Sequence, residues 1–205
     1  MARNFLTSAY RLRLSAQEPV SQPRPHVPGE AGVWVMIFGD MIIFGLFFAI
    51  FTYDRASSRE VFARSQQTLS TAIGLVNTVL LLASSLFVVV GVRTVRSGKA
   101  GCAPRFFLLA LLCGLGFAVD KVLEYSDKLG AGITPMTNKF YMYYYIFTGI
   151  HALHLVIGMC VLVFLWRITR KTSRPPKITL VEGCASYWHL VDLLWIVLFP
   201  LLYLI

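Results

Sequence analysis

"FYMYYYIFTGIHALHLVIGMCVLVFLW", residues 140–166, contains no charged side chain, yet it carries two histidines three positions apart, His151 and His154. A hydrocarbon core of about 30 Å is crossed by about 20 helical residues rising about 1.5 Å each, so the run is long enough to span a bilayer as a helix. Leu69–Val92 meets the same test without a charge. Three further stretches meet it if a few polar groups are accepted: Gly32–Tyr53 with Asp40, Phe106–Tyr125 with Asp120, Lys121 and Glu124, and Gly183–Ile205 with Asp192. The predicted fold is therefore an all-α membrane protein, a bundle of five transmembrane helices at about 32–53, 69–92, 106–125, 140–166 and 183–205. A β-barrel is excluded because its strands alternate over about 10 residues, whereas these runs are apolar on every side.

Composition agrees. Of 205 residues 57% are apolar and only 14% charged, against about 45–50% and about 25% in soluble proteins. The net charge of +9 is distributed by topology. Thirteen of the nineteen Lys and Arg residues fall before the first span (Arg3, Arg11, Arg13, Arg24), between the second and third (Arg93, Arg96, Lys99, Arg105) or between the fourth and fifth (Arg167, Arg170, Lys171, Arg174, Lys177). Arg55, Arg59, Arg64, Lys128 and Lys139 fall on the other side. The positive-inside rule then predicts a cytoplasmic N-terminus and an external C-terminus. Charge split among short loops suits anionic lipid headgroups and not nucleic acid. Residues 1–30, with Pro19, Pro23, Pro25 and Pro28 and no apolar core of the signal-peptide kind, read as a flexible cytoplasmic tail, leaving 31–205 as the membrane domain. Cys102, Cys113, Cys160 and Cys184 lack C-x-x-C spacing, so neither a disulfide framework nor a zinc site is indicated.

Ionisable groups inside a bilayer are costly and mark where function concentrates. Asp40 lies about 12 Å along the first span, with Gly39 and Gly45 beside it as candidates for close helix approach. It reads either as a hydrogen-bonded carboxylate between helices or as a group that takes part in proton movement. Asp120 and Glu124 are one turn apart with Lys121 between them, so both carboxylates are expected to share its ammonium near the outer end of the third span. His151 and His154 lie on one face of the fourth span, about 15–20 Å from Phe140. His189 and Asp192 repeat the spacing on the fifth, flanked by Trp188 and Trp195, and a polar seam between the last two helices is expected. On spacing alone three readings stay open: interhelical hydrogen bonding, bis-histidine haem ligation as in a membrane cytochrome b, and a metal site. A transporter reading is the weakest, because the one late break, Pro200, lies near the outer end. Asn77, Thr78, Ser84 and Ser85 are read as small polar packing residues.

The blocks "GDMIIFGLFF" (39–48), "NTVLLLASS" (77–85), "EY" (124–125), "TGIHALHLVIG" (148–158) and "EGCASYWHLVDLLWIVLFPLLYL" (182–204) resemble, in order and spacing, the cytochrome c oxidase subunit III family in its short five-helix form. The resemblance runs from about Gly32 to the C-terminus. It implies a non-catalytic accessory subunit of a respiratory haem–copper oxidase in a bacterial inner membrane. Such a subunit packs on catalytic subunit I, holds phospholipid and supports proton uptake, while the haem and copper belong to the partner. Asp40 stands at the family's intramembrane carboxylate, usually Glu, and Glu124, His151, His154, Glu182, Trp188, His189, Asp192 and Trp195 match its polar and aromatic positions. No catalytic or metal-ligating residue is implied, and the histidines become helix-to-helix hydrogen-bonding groups. The chain is also similar to the subunit III-like protein associated with bacterial nitric oxide reductase, which would make that complex the partner.

Overall fold

The computed structural model describes residues 31–171 and 176–204, which form α-helices and connecting turns. Helix α1 runs Ala31–Ser57, the short α2 Arg59–Gln66, α3 Thr71–Arg96, α4 Ala103–Gly130, α5 Lys139–Lys171 and α6 Ile178–Phe199, the last continued by a π-helical turn, Pro200–Leu204. Five of these helices are long and apolar enough to cross a membrane. Because no water reaches a bilayer core, helices that satisfy their own backbone are the expected response to such sequence. The expected tail, residues 1–30, lies outside the described residues.

Each span extends past its apolar run. The expected 106–125 becomes Ala103–Gly130 and 140–166 becomes Lys139–Lys171, because charged side chains end the hydrocarbon stretch but do not end a helix. Local signals set the ends instead. Ser70 caps α3, its hydroxyl accepting from the Ile73 amide at 3.4 Å, and Pro104 occupies the first turn of α4, where its missing N–H is harmless. Helices α3 and α4 both stop at a glycine of φ +75°, Gly98 and Gly132. In each case the residue after the glycine donates back five positions, Lys99 to the Thr94 carbonyl and Ile133 to that of Lys128. This is the Schellman closure, which needs the left-handed conformation glycine supplies.

Helices α3, α4, α5 and α6 close a ring: α3 packs on α4, α4 on α5, and α6 against both α5 and α3. Most of α6 is buried, whereas α1 is almost entirely uncovered. Helix α1 rests on the outside of the ring through a run of aromatic contacts, Phe44 on His154 and Phe47, Phe48 and Phe51 on Phe147. The amphipathic α2 has no counterpart in the sequence expectation. It is pinned to the start of α5 by buried Phe62 against Phe140 and by an Asn138 to Ser65 hydrogen bond of 2.9 Å, while Lys128 of α4 donates to the Thr68 carbonyl in the turn that follows α2.

Lipid tails are as apolar as leucine, so close packing must hold such a ring together. The indole of Trp188 lies in a slot made by two glycines: a Cβ on Gly158 would fall 2.8 Å from its ring and one on Gly114 would fall 3.0 Å away. Gly91 receives Phe107 in the same way. By contrast, Gly39 and Gly45, where close helix approach was expected, have nothing within 4 Å of a built Cβ. Gly158→Val should therefore lower stability by about 1–3 kcal/mol through overpacking, whereas Gly149→Ala, in open space, should be neutral or slightly stabilising. Thermal unfolding in detergent, followed by circular dichroism, checks the contrast.

Candidate functional site

The polar side chains withdrawn from the lipid do not form the single seam expected between the last two helices. They divide among several interfaces, because residues three apart on α5 turn far enough around the axis to meet different neighbours.

The most deeply buried ion pair among the described residues lies between α4 and α6. Lys121 donates to Glu124 at 2.8 Å, with side chains only 11% and 5% exposed. The Tyr203 oxygen accepts from Lys121 at 2.6 Å, and its hydroxyl donates to the Glu124 carboxylate, with Oε1 at 2.7 Å and Oε2 at 3.0 Å. The ammonium also lies 4.8 Å from the ring centre of Trp195, 5.1 Å from that of Tyr203 and 5.6 Å from that of Tyr144, so aromatic faces help to replace its hydration. Asp120, expected to share this cation, makes no ion pair with it among the described residues; Glu124 alone does. The pair is also not at the surface: α4 continues past it to Gly130, and Tyr203, Trp195 and Tyr144 close around it.

His154 turns toward α1. Its Nε2 lies 3.5 Å from the Asp40 carboxylate, the two side chains being 16% and 21% exposed, and its Nδ1 is 2.9 Å from the Ile150 carbonyl. If Nδ1 carries the proton and donates to that carbonyl, Nε2 faces Asp40 as an acceptor when neutral and as a second donor when charged. His151, one turn away, is 1% exposed and lies between the rings of Phe117 and Trp195, at 5.5 and 5.3 Å. Neither of its nitrogens has a hydrogen-bond partner among the described residues. His189 turns toward α3 and meets Ser85 at 2.6 Å, with Asp192 at 4.0 Å. Trp195 donates its indole N–H to Thr78 at 3.1 Å, and Ser84 donates to the Ala110 carbonyl at 2.9 Å, so three of the four small polar residues of α3 bridge helices. The fourth, Asn77, is buried and its amide has no partner among the described residues. Glu182, buried near the other end of α6, takes Arg96 at 2.5 Å and ties α6 to the end of α3.

This distribution bears on the open readings. The bis-histidine haem reading needs His151 or His154 facing His189, and these side chains address Phe117 and Trp195, Asp40, and Ser85 respectively. The cavity beside His151, between α4 and α5, holds about 180 Å³, and no second imidazole is among its lining residues. Cofactor sites are typically about 300–1,000 Å³. Among the described residues no three His, Cys, Asp or Glu side chains converge as a metal site would require. Sequence reasoning overlooked Tyr203 and the Arg96 partner of Glu182. Tyr203 was detectable in principle, because Trp195, Phe199 and Tyr203 recur at i, i+4 and i+8, one stripe of a helix.

The fold is that of a multi-pass helical membrane bundle in which most of the buried ionisable groups join helices. Comparison with known proteins gives the family. The family model described as cytochrome c oxidase subunit III matches residues 28–205, and the chain belongs to that family. It is 29% identical over 179 residues to cytochrome c oxidase subunit 3 of Corynebacterium diphtheriae, covering 86% of this chain and 87% of that one. It is 30% identical over 176 residues to the protein of that name from Thermostichus vulcanus, with 85% and 86% covered. A probable quinol oxidase subunit 3 of Staphylococcus haemolyticus is 24% identical over 180 residues, with 86% and 88% covered. The chain is thus an oxidase subunit III.

Truncating one partner of a buried ion pair strands the other. Lys121→Met should cost about 3–5 kcal/mol, and adding Glu124→Gln should restore much of the loss. A double-mutant cycle on thermal stability in detergent checks this, with non-additivity as the expected result.

Proposed function

We propose that this chain is a non-catalytic accessory subunit of a respiratory haem–copper oxidase, seated in a bacterial inner membrane with its N-terminus in the cytoplasm. It packs on catalytic subunit I, steadies it and supports proton uptake. The haem and copper that reduce oxygen belong to that partner, and this chain contributes a helical surface, bound phospholipid and the Asp40 carboxylate. The orientation rests on the cation bias, thirteen of nineteen Lys and Arg residues falling on one side.

The observation that carries the reading is Asp40. A carboxylate placed in a span is costly unless paired or used. This one is held by a single imidazole at 3.5 Å, on the one spanning helix that the rest of the chain leaves almost bare. Contrast Glu124, which is enclosed on all sides and fixed by Lys121 and Tyr203. Glu124 is built to stay; Asp40 has a single imidazole partner at 3.5 Å and is open on its other side. A half-open Asp–His pair on an uncovered apolar helix suits a role at an interface with a proton-consuming partner.

Asp40→Asn in the whole oxidase tests this. The complex should assemble in normal amount, while turnover, or the number of turnovers before activity decays, falls by about 10-fold or less, as expected for loss of an assisting acid–base group and not of the catalytic centre. Normal turnover and durability in an assembled Asp40→Asn oxidase would reject the proton role. Loss of assembly would make Asp40 a packing residue.

A further inference from the structure

The elbow between α1 and α2 holds a feature that the packing of the bundle does not use. A notch of about 400 Å³ is lined by Thr52, Arg55, Ala56, Arg59 and Ala63. Three of these are small, which leaves the space open, and the other two are arginines. Neither guanidinium has an acidic partner among the described residues. Asp54, next to Arg55 in sequence, is turned away and bound by Tyr143 at 2.8 Å and Lys139 at 3.5 Å. Glu60, next to Arg59, forms no ion pair with either arginine among the described residues. Helix α2 also begins at Arg59 without a side-chain hydrogen bond from Ser58, so the positive end of that short helix adds to the local field.

Their position adds to the case. The positive-inside bias empties this side of cations, yet two of its five, Arg55 and Arg59, share one pocket. An unpaired arginine at a membrane interface ordinarily extends its guanidinium into water. Two of them line one concavity, and a guanidinium is a planar donor fork suited to the oxygens of a phosphate group. Below the notch the exposed side of α1 is apolar, with Leu46, Ile50 and Tyr53 on the surface.

We infer that the Arg55/Arg59 notch is an anion site that takes a phosphate group, supplied either by an anionic phospholipid headgroup lying against α1 or by free phosphate from the aqueous side. The inference is independent of the proton role given to Asp40 and of the partner's identity; its lipid arm rests on the phospholipid binding proposed above and gives it a site, whereas its phosphate arm does not depend on it.

The full chain in nanodiscs tests it. In one arm, nanodiscs containing equal phosphatidylglycerol and phosphatidylcholine are exchanged into detergent and the retained lipid is counted by native mass spectrometry. In the other, nanodiscs of phosphatidylcholine alone are titrated with inorganic phosphate by calorimetry. The wild type should retain phosphatidylglycerol preferentially, bind phosphate, or do both. Each of Arg55→Gln and Arg59→Gln should weaken whichever is seen by roughly tenfold. Arg167→Gln, at the opposite end of the bundle, should leave it unchanged. A preference for phosphatidylglycerol without phosphate binding assigns the site to lipid, and the converse assigns it to the soluble anion. The Arg55→Lys/Arg59→Lys variant separates a fitted site from general attraction: affinity should fall, because lysine keeps the charge and loses the fork. Circular dichroism confirms the fold of each variant. No binding in either arm, or equal binding by wild type, Arg55→Gln/Arg59→Gln and the lysine variant, would overturn the proposal.

Discussion

A lysine and a glutamate in contact inside hydrocarbon set the terms for the rest of this bundle. The cost of taking two charges out of water exceeds what their attraction returns unless further polar contacts complete the site. Here the completion comes from the far end of the chain: the Tyr203 hydroxyl binds both partners, and Trp195 and Tyr144 offer their ring faces to the ammonium. Because Lys121 and Glu124 belong to α4, Tyr203 to the turn after α6 and Tyr144 to α5, one cluster fixes three helices. The break at Pro200 and the π-helical turn that follows belong to the same device, since they set the position of Tyr203 in the bundle. Elsewhere the ring relies on close packing, with Trp188 pressed into the glycine slot of α4 and α5.

The remaining polar groups follow from the same constraint. With little hydrophobic force between helices in lipid, hydrogen bonds and small residues set which surfaces meet. Ser85 with His189 and Thr78 with Trp195 join α3 to α6 in the membrane interior, and Arg96 with Glu182 joins them near an end. Asp40 and His154 are the exception, a pair on the outer side of the ring where α1 leans on α5. The helix least supported by its own chain carries a carboxylate that is only partly enclosed, and this is why the functional reading centres on that helix.

The five spans were legible in the sequence because hydrocarbon thickness fixes a minimum apolar length, which each run meets. The family was legible too, carried by local blocks whose residues recur at fixed spacing. Helix ends were not, since an apolar run measures the lipid and not the hydrogen-bonded helix; the Lys121 pair reads from sequence as an interfacial group, but α4 extends past Tyr125 and Tyr203, Trp195 and Tyr144 close around the pair in the fold. Partners were the least legible part. Spacing places His151 and His154 on the same broad face, but only the arrangement of five helices sends one to Asp40 and the other between Phe117 and Trp195. The pairing of Lys121 with a tyrosine 82 residues away has no local signature at all. The amphipathic α2 was missed because its eight residues are too few for a periodic pattern.

The account's central claim, that this bundle is an accessory subunit held against a catalytic partner, is tested most directly by affinity purification of the tagged chain from its native membrane in mild detergent. The co-purifying proteins are identified by mass spectrometry, and reduced-minus-oxidised spectra are recorded on the eluate. The account predicts stoichiometric recovery of a haem–copper oxidase catalytic subunit, with every haem signal disappearing when the chain is purified alone. A haem spectrum that stays with the isolated chain, or repeated purification without any haem–copper subunit, would contradict it.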